Sequence, residues 1–391
     1  MKYNFDKVID RSGTSAEKVE GLEHIWGRTD LIPLWVADMD FATAPFVTGA
    51  IRKRCENEVL GYTGKPDSYY NAIINWVKQR YDLIVTKEVI NFVPGIVPGI
   101  GMAMNCFTQK GDKVMIQPPV YHPFAWVTTR NERTLVINPL RWENGMYRMD
   151  LDAFREQIKG CKLFILCNPH NPGGVVWTEA ELRAIADICY DEKVLVFSDE
   201  IHADLTLPPH THRPFATVSE KARMNSVTFM SPSKAFNMPG LSASHALIFN
   251  EDLRKRFRIY MDAGELDMGH VFAFLSVEAA YSHGTEWLDQ CLAYIQGNID
   301  FVDEFLKKHA PKIKAIRPEA SYLVWLDCRE LELSQKDLNE FFVDKAHLAL
   351  NDGEMFGKEG IGFMRLNVAS PRCIIEKAMK QLADAYQLYI K

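Results

Sequence analysis

Five short apolar runs, each closed by turn residues, do most to limit how this chain folds: 113-KVMIQP-118, 134-TLVINP-139, 162-KLFILCNP-169, 193-KVLVFSDE-200 and 226-SVTFMSPSK-234. Their apolar residues are consecutive rather than alternating, which suits strands buried on both faces. Between two of them stands 178-TEAELRAIADICYDE-192. There Thr178 and Glu181 read as a capping box, while Leu182, Ile185, Ala186 and Cys189 share one helical face. Strand, helix and strand in succession predict an α/β fold with a mostly parallel central sheet.

The flanks differ. A helix is predicted around 67–81, with Tyr70, Ile73, Ile74 and Val77 on one face. A short strand precedes the break 94-PGIVPG-99, and a helix follows over 98–108. Towards the end come a long helical pattern at 286–309, strands near 312–317 and 321–327, and a closing helix after Pro371. A chain of 391 residues is long for one core. The expected division is a large domain over 46–283 and a smaller α+β domain over 284–391. Residues 1–45, irregular and rich in Pro, Gly and Asp, are expected to pack with the small domain.

A formal charge of −6 gives no electrostatic reason to expect nucleic acid or an acidic membrane as partner. The opening MKYNFDKVIDRSG lacks the apolar core of a signal peptide, and no run approaches the ~20 apolar residues of a membrane span. Eight scattered cysteines show no metal-type spacing, so no metal is expected. A cytoplasmic setting follows as the plain expectation.

In an open α/β sheet, ligands collect beyond the carboxyl ends of the strands. Three successive strands here end in polar groups: 167-CNPHNPGG-174, 198-SDEIHAD-204 and 230-MSPSK-234. Singly, Asn171 reads as a turn, Asp199 as a helix cap and Lys234 as a surface lysine. Together they bring an amide, a carboxylate, hydroxyls and an amine to one rim. That set suits an aromatic cofactor carrying a phosphate, a phenolic oxygen, a ring nitrogen and an aldehyde.

At this point the chain resembles, over essentially its whole length, the fold-type-I pyridoxal-phosphate enzymes of the aspartate aminotransferase superfamily. The marks run in order: Tyr62, Gly95-Ile96-Val97, Tyr121, 168-NPHNPGG-174, Asp199, Ser231-x-Ser233-Lys234, and Arg365 in 363-FMRLNVA-369. Within the class I/II aminotransferase family, 34-LWVADMDF-41, 198-SDEIHADL-205 and 231-SPSKAFNMPGL-241 are similar to the cystathionine β-lyase (cysteine-S-conjugate β-lyase) branch. Taken without that likeness, the first stretch is a buried N-terminal strand with an Asp cap.

The resemblance implies pyridoxal 5'-phosphate as cofactor and a role for each mark. Lys234 would join the cofactor's aldehyde and later act as base. Asp199 would pair with the ring nitrogen, Asn171 with the phenolic oxygen, and Tyr121 would stack on the ring, with His202 beneath it. The amides of Ile96 and Val97 and the hydroxyls of Ser231 and Ser233 would hold the phosphate. Tyr62 would arrive from the second subunit of a homodimer. Arg365 would grip the substrate carboxylate, with Asn171, Tyr62, Ala37 and Asp38 also facing substrate. Two positions depart from the wider pattern: His202 replaces a common tyrosine, and Ser242 stands where a cation usually touches the phosphate. The first fits this branch; the second implies looser cofactor retention.

The implied reaction is α,β-elimination from cystathionine or another cysteine S-conjugate, giving a thiol, pyruvate and ammonia, with Tyr121 or Lys234 protonating the leaving sulfur. A broad-specificity aminotransferase, or a lyase with a secondary regulatory binding role, are the alternatives. No second cation for a distal substrate carboxylate can be identified, which favours the lyase.

Overall fold

The computed structural model describes residues 2–389. Its central sheet has seven strands: β1 (Ile90–Val93), β2 (Lys113–Ile116), β3 (Thr134–Ile137), β4 (Cys161–Cys167), β5 (Leu195–Asp199), β6 (Ser226–Met230) and β7 (Ser244–Leu247). Their spatial order is β1-β7-β6-β5-β4-β2-β3. Only β7 runs against the others in this sheet. The five apolar runs become β2 to β6, as expected. One differs in setting: β3 lies at the sheet edge, so Ile137 is half-exposed rather than covered on both faces. The short β7 carries Ser244 and His245 and gives no apolar run, yet all four of its residues are buried.

Helix Glu179–Asp191 begins with the Thr178–Glu181 capping box and buries Leu182, Ile185, Ala186 and Cys189. Helix Asp67–Tyr81 has the predicted bounds, but its buried face is centred on Tyr69, Ile73, Trp76 and Val77, so Tyr70 and Ile74 sit at its border. The segment before residue 45 is less irregular than expected. It holds a helix, Glu17–Trp26, ended by Gly27 in the left-handed conformation (φ 64°) that glycine adopts without steric cost. It also holds a two-residue strand, Ile32–Pro33, that pairs in parallel with Leu348–Ala349.

A second sheet is antiparallel, with β8 (Lys314–Ile316), β9 (Leu323–Asp327), β10 (Asn351–Asp352) and β11 (Phe363–Asn367) in the order β8-β9-β11-β10. Helices Thr285–His309 and Arg372–Tyr389 supply its apolar cover through residues such as Ile295, Ile299, Ile375 and Leu382. Arg365 lies in the middle of β11, opposite Trp325 on one side and Asn351 on the other. Among the described residues, no helix is long and apolar enough to cross a membrane.

Candidate active site

The carboxyl ends of β4, β5 and β6 deliver Asn171, Asp199 and Lys234 to one cleft of about 210 Å³. Lys234 is half-buried, and its Nζ donates to the carbonyl of Ala37 at 2.5 Å. Burial lowers its pKa to about 8, and the nearby cation of Arg365 pushes the same way. An amine so placed sheds its proton more readily than one in water, which is what a nucleophile requires.

Asp199 is buried at the end of β5, and that burial raises its pKa to about 7. One oxygen, Oδ1, accepts from the amide of Ile201 at 3.1 Å. A carboxylate held this way is poised for a cationic partner, which would return it to the ionised form. His202 stands beside it, also buried, with its pKa pushed down to about 3 by loss of water. Its ring is therefore neutral, and Nδ1 is buried without a hydrogen-bond partner.

Arg365 reaches Asn171 from β11. Nη1 donates to Oδ1 of Asn171 at 3.0 Å, while Nη2 donates to the Trp35 carbonyl at 3.1 Å and to Asn351 Oδ1. Its Nε is buried and unpartnered, and its Cζ lies 4.8 Å from the centre of the Phe356 ring. Burial lowers its pKa to about 10, so it remains a cation at neutral pH. Tyr121 forms another wall of the cleft, its hydroxyl held in the protonated form chiefly by burial.

The opposite end is built to take an anion. Helix Ile96–Phe107 opens there after Gly95, whose φ of 141° favours glycine. The first intrahelical bond is that from Gly99 to the Gly95 carbonyl, and Pro98 has no N–H. The amides of Ile96 and Val97 are thus the first-turn donors left for a ligand at the positive end of the helix. Ser233 lines the cleft. Ser231 does not: its hydroxyl is engaged by the Ala243 carbonyl at 2.8 Å and by Ser233 Oγ at 2.9 Å, so it supports Ser233 rather than facing the cleft. Ser242 lines this end, and the cation among the lining residues is Lys234. Tyr62 is 97% exposed and is not part of the cleft wall in the single chain.

The stretch 34–41 forms the floor near Lys234. Asn237, three residues beyond the lysine, accepts from the Met39 amide and donates to the Met39 and Phe41 carbonyls. Asn367 donates to the carbonyls of Val36 and Asp38. Ala37 lines the cleft, with its carbonyl accepting from Lys234, but Asp38 differs from the expectation that it faces substrate. Its carboxylate pairs with Arg11 at 2.6 Å and lies 3.7 Å from Lys18, because the fully buried Lys18 needs anions around it.

Three residues at the site carried no signal in the sequence reading. Tyr322 is fully buried and donates to the same Ala37 carbonyl at 2.9 Å. Asn351 holds Arg365 from a two-residue strand too short to read by periodicity. Cys167 lines the cleft with its thiol accepting from the Asn171 amide at 3.3 Å. Tyr322 and Asn351 sit beside the site only through tertiary contacts.

The donor set fits a phosphorylated pyridine aldehyde: two free amides and hydroxyls for the phosphate, an acid, an amide, and a reactive amine, all within one cavity.

Comparison with known proteins agrees with this chemistry. Residues 29–382 match the family described as aminotransferase class I and II. The cystathionine β-lyase PatB of Bacillus subtilis (strain 168) is 38% identical over 384 residues, covering 98% of this chain and 99% of its own. Cystalysin from Treponema denticola, solved with a pyridoxal 5'-phosphate cofactor, is 33% identical with a TM-score of 0.96 over 100% of both chains. The PLP-bound C-S lyase of Staphylococcus hominis is 35% identical with a TM-score of 0.91, covering 99% of this chain and 98% of its own.

Proposed function

We propose, from the premise that the chain belongs to the aminotransferase class I and II family, that it is a pyridoxal-phosphate-dependent carbon–sulfur β-lyase acting on cystathionine or related cysteine S-conjugates. The observation that carries the reading is the meeting of Lys234, Asp199 and Asn171 at one cleft, with Arg365 hydrogen-bonded to Asn171. Names of relatives that span the whole chain support it. The seven-stranded sheet lies wholly within 46–283 and the four-stranded sheet after 284, which supports taking these as the two domains.

When bound, the cofactor supplies an aldehyde for the substrate amine and a cationic ring that accepts electrons from Cα. The remaining steps belong to the chain. Ile96, Val97 and Ser233 would hold the phosphate, Asp199 would pair with the ring nitrogen and keep it protonated, and Asn171 would offer Nδ2 to the phenolic oxygen. Arg365 supplies the cation that fixes the substrate carboxylate, with Nε its unpartnered donor. Lys234, with its pKa near 8, removes the Cα proton. Tyr121, whose hydroxyl stays protonated, gives its proton to the departing sulfur.

The full exposure of Tyr62 supports a homodimer in which this side chain completes the partner's cleft. A cytoplasmic setting goes with the same reading. Pyruvate released from L-cystathionine with no 2-oxo acid present tests the lyase; turnover only with a 2-oxo acid acceptor would make the chain an aminotransferase instead. The Lys234→Ala variant should lose turnover either way.

A further inference from the structure

The backbone carbonyls from Trp35 to Met39 are held by side chains that reach in from elsewhere in the fold. Arg365 takes that of Trp35, Asn367 those of Val36 and Asp38, and Asn237 that of Met39. The Ala37 carbonyl has two donors of another kind: Lys234 Nζ at 2.5 Å and the Tyr322 hydroxyl at 2.9 Å. The first must let go for the site to work, since a nucleophile and base cannot stay an ammonium on a carbonyl. The second keeps its proton, because burial raises the Tyr322 pKa well above the usual phenol range.

The backbone around Tyr322 is fixed from both sides. Ser321, just before it, is buried at φ 83°, in the left-handed region that serine rarely adopts, and its hydroxyl has no partner. The Ser321 amide donates to the Leu205 carbonyl at 2.9 Å, and the Val368 amide donates to the Tyr322 carbonyl at 2.9 Å. Upstream, the amides of Glu319 and Ala320 both donate to the Gly174 carbonyl. The turn into β9 is thus bolted to the loops that follow β4 and β5, which holds the phenol against the Ala37 carbonyl.

A carbonyl oxygen has two lone pairs and can serve both donors, but each draws on density that the other would use. The phenol O–H also turns its positive end towards the oxygen that faces the ammonium, making that oxygen a poorer anchor for charge. Once the lysine lets go, the buried acceptor still has a partner. We infer that Tyr322 is a positioning residue for Lys234: by sharing the Ala37 carbonyl it loosens the hold on the ammonium and keeps the oxygen satisfied when the amine is released. The inference rests on Lys234 being the reactive amine of the lyase reading. The other groups that face this amine are Arg365, which favours its neutral form, Asp38 and Asp199, which favour the ammonium, the neutral His202, and Tyr121, which keeps its proton. Tyr322→Phe leaves all of them in place.

In the cofactor-free protein, competitive labelling with acetic anhydride between about pH 6 and 11, read by mass spectrometry of the Lys234 peptide, gives the amine's pKa without turnover. Tyr322→Phe should raise it by at least about half a unit, roughly a threefold fall in the neutral fraction at pH 7. An unchanged or lowered pKa overturns the inference. In the holoenzyme, the same substitution should lower kcat for pyruvate release from L-cystathionine by roughly threefold or more at pH 7, and by less than about twofold at pH 9.5. Equal loss at both pH values makes Tyr322 a structural residue only and overturns the inference as well. A wild-type protein that releases no pyruvate refutes the lyase reading itself, while the labelling still decides what Tyr322 does to Lys234.

Discussion

Arg365 and Asn171, 194 residues apart in sequence, are joined by a hydrogen bond of 3.0 Å from Nη1 to Oδ1. An amide has one acceptor and one donor end, so the arginine fixes which way Asn171 faces and leaves its Nδ2 free. The residue proposed to grip the substrate thus also orients the residue proposed to hold the cofactor ring.

The coupling predicts that Arg365→Lys does more than weaken substrate binding. Lysine has no planar fork and cannot reach Asn171, Asn351 and Trp35 together while presenting a second edge. Losing one charge-assisted hydrogen bond costs about 1.5–3 kcal/mol, so KM should rise by roughly 10- to 100-fold. Because Asn171 is released, the near-visible absorption of bound cofactor should shift as well. Steady-state kinetics beside a spectrum check both; a raised KM with an unaltered spectrum would separate the two roles.

Burial of the Lys234 amine carries a stability cost that depends on pH. Its pKa is about 8 in the folded chain against 10.5 for a free lysine, so folding disfavours the protonated form. The penalty is complete below about pH 8, shrinks as pH rises, and is gone above about 10.5, where the amine is neutral in both states. In the cofactor-free protein, Lys234→Met should therefore be more stable than wild type at pH 7, by at most about 3 kcal/mol. That advantage should shrink between pH 8 and 10. Urea unfolding at both pH values measures it, and a wild type more stable than the variant at pH 7 would contradict the argument.

How much of this was legible in the chain depended on how local the signal was. Strands β2 to β6 and the capped helix Glu179–Asp191 follow from apolar runs and a four-residue motif, which act within a few positions of themselves. The same holds for Lys234, Asp199 and Asn171, which stand at strand ends. By contrast, helix Glu17–Trp26 is short, with a buried lysine and glycine where an apolar stripe would be read. Tyr322 and Asn351 acquire meaning only from what the fold places against them. Asp38 was misplaced for the same reason: its partners, Arg11 and Lys18, are spelled nowhere near the motif's own pattern.

Those partners make the final prediction. Lys18 is wholly buried, with Nζ 2.8 Å from Asp40 and 3.7 Å from Asp38, and Arg11 pairs with both acids from the other side. Lys18→Met keeps the side chain's bulk but leaves two carboxylates with one cation. Removing one member of a buried ion network costs about 3–5 kcal/mol. Here the acids retain 13% and 21% of their side-chain exposure, so water recovers part of it and about 2–3 kcal/mol remains. Adding Asp40→Asn removes one of the uncompensated charges, so the double variant should be more stable than the sum of the two single losses implies. Because the 34–41 stretch carries the Ala37 carbonyl that receives Lys234 and Tyr322, Lys18→Met should also lower kcat. Urea unfolding of the four proteins in the cycle decides it: strictly additive losses would mean that Lys18 and Asp40 do not act as a pair.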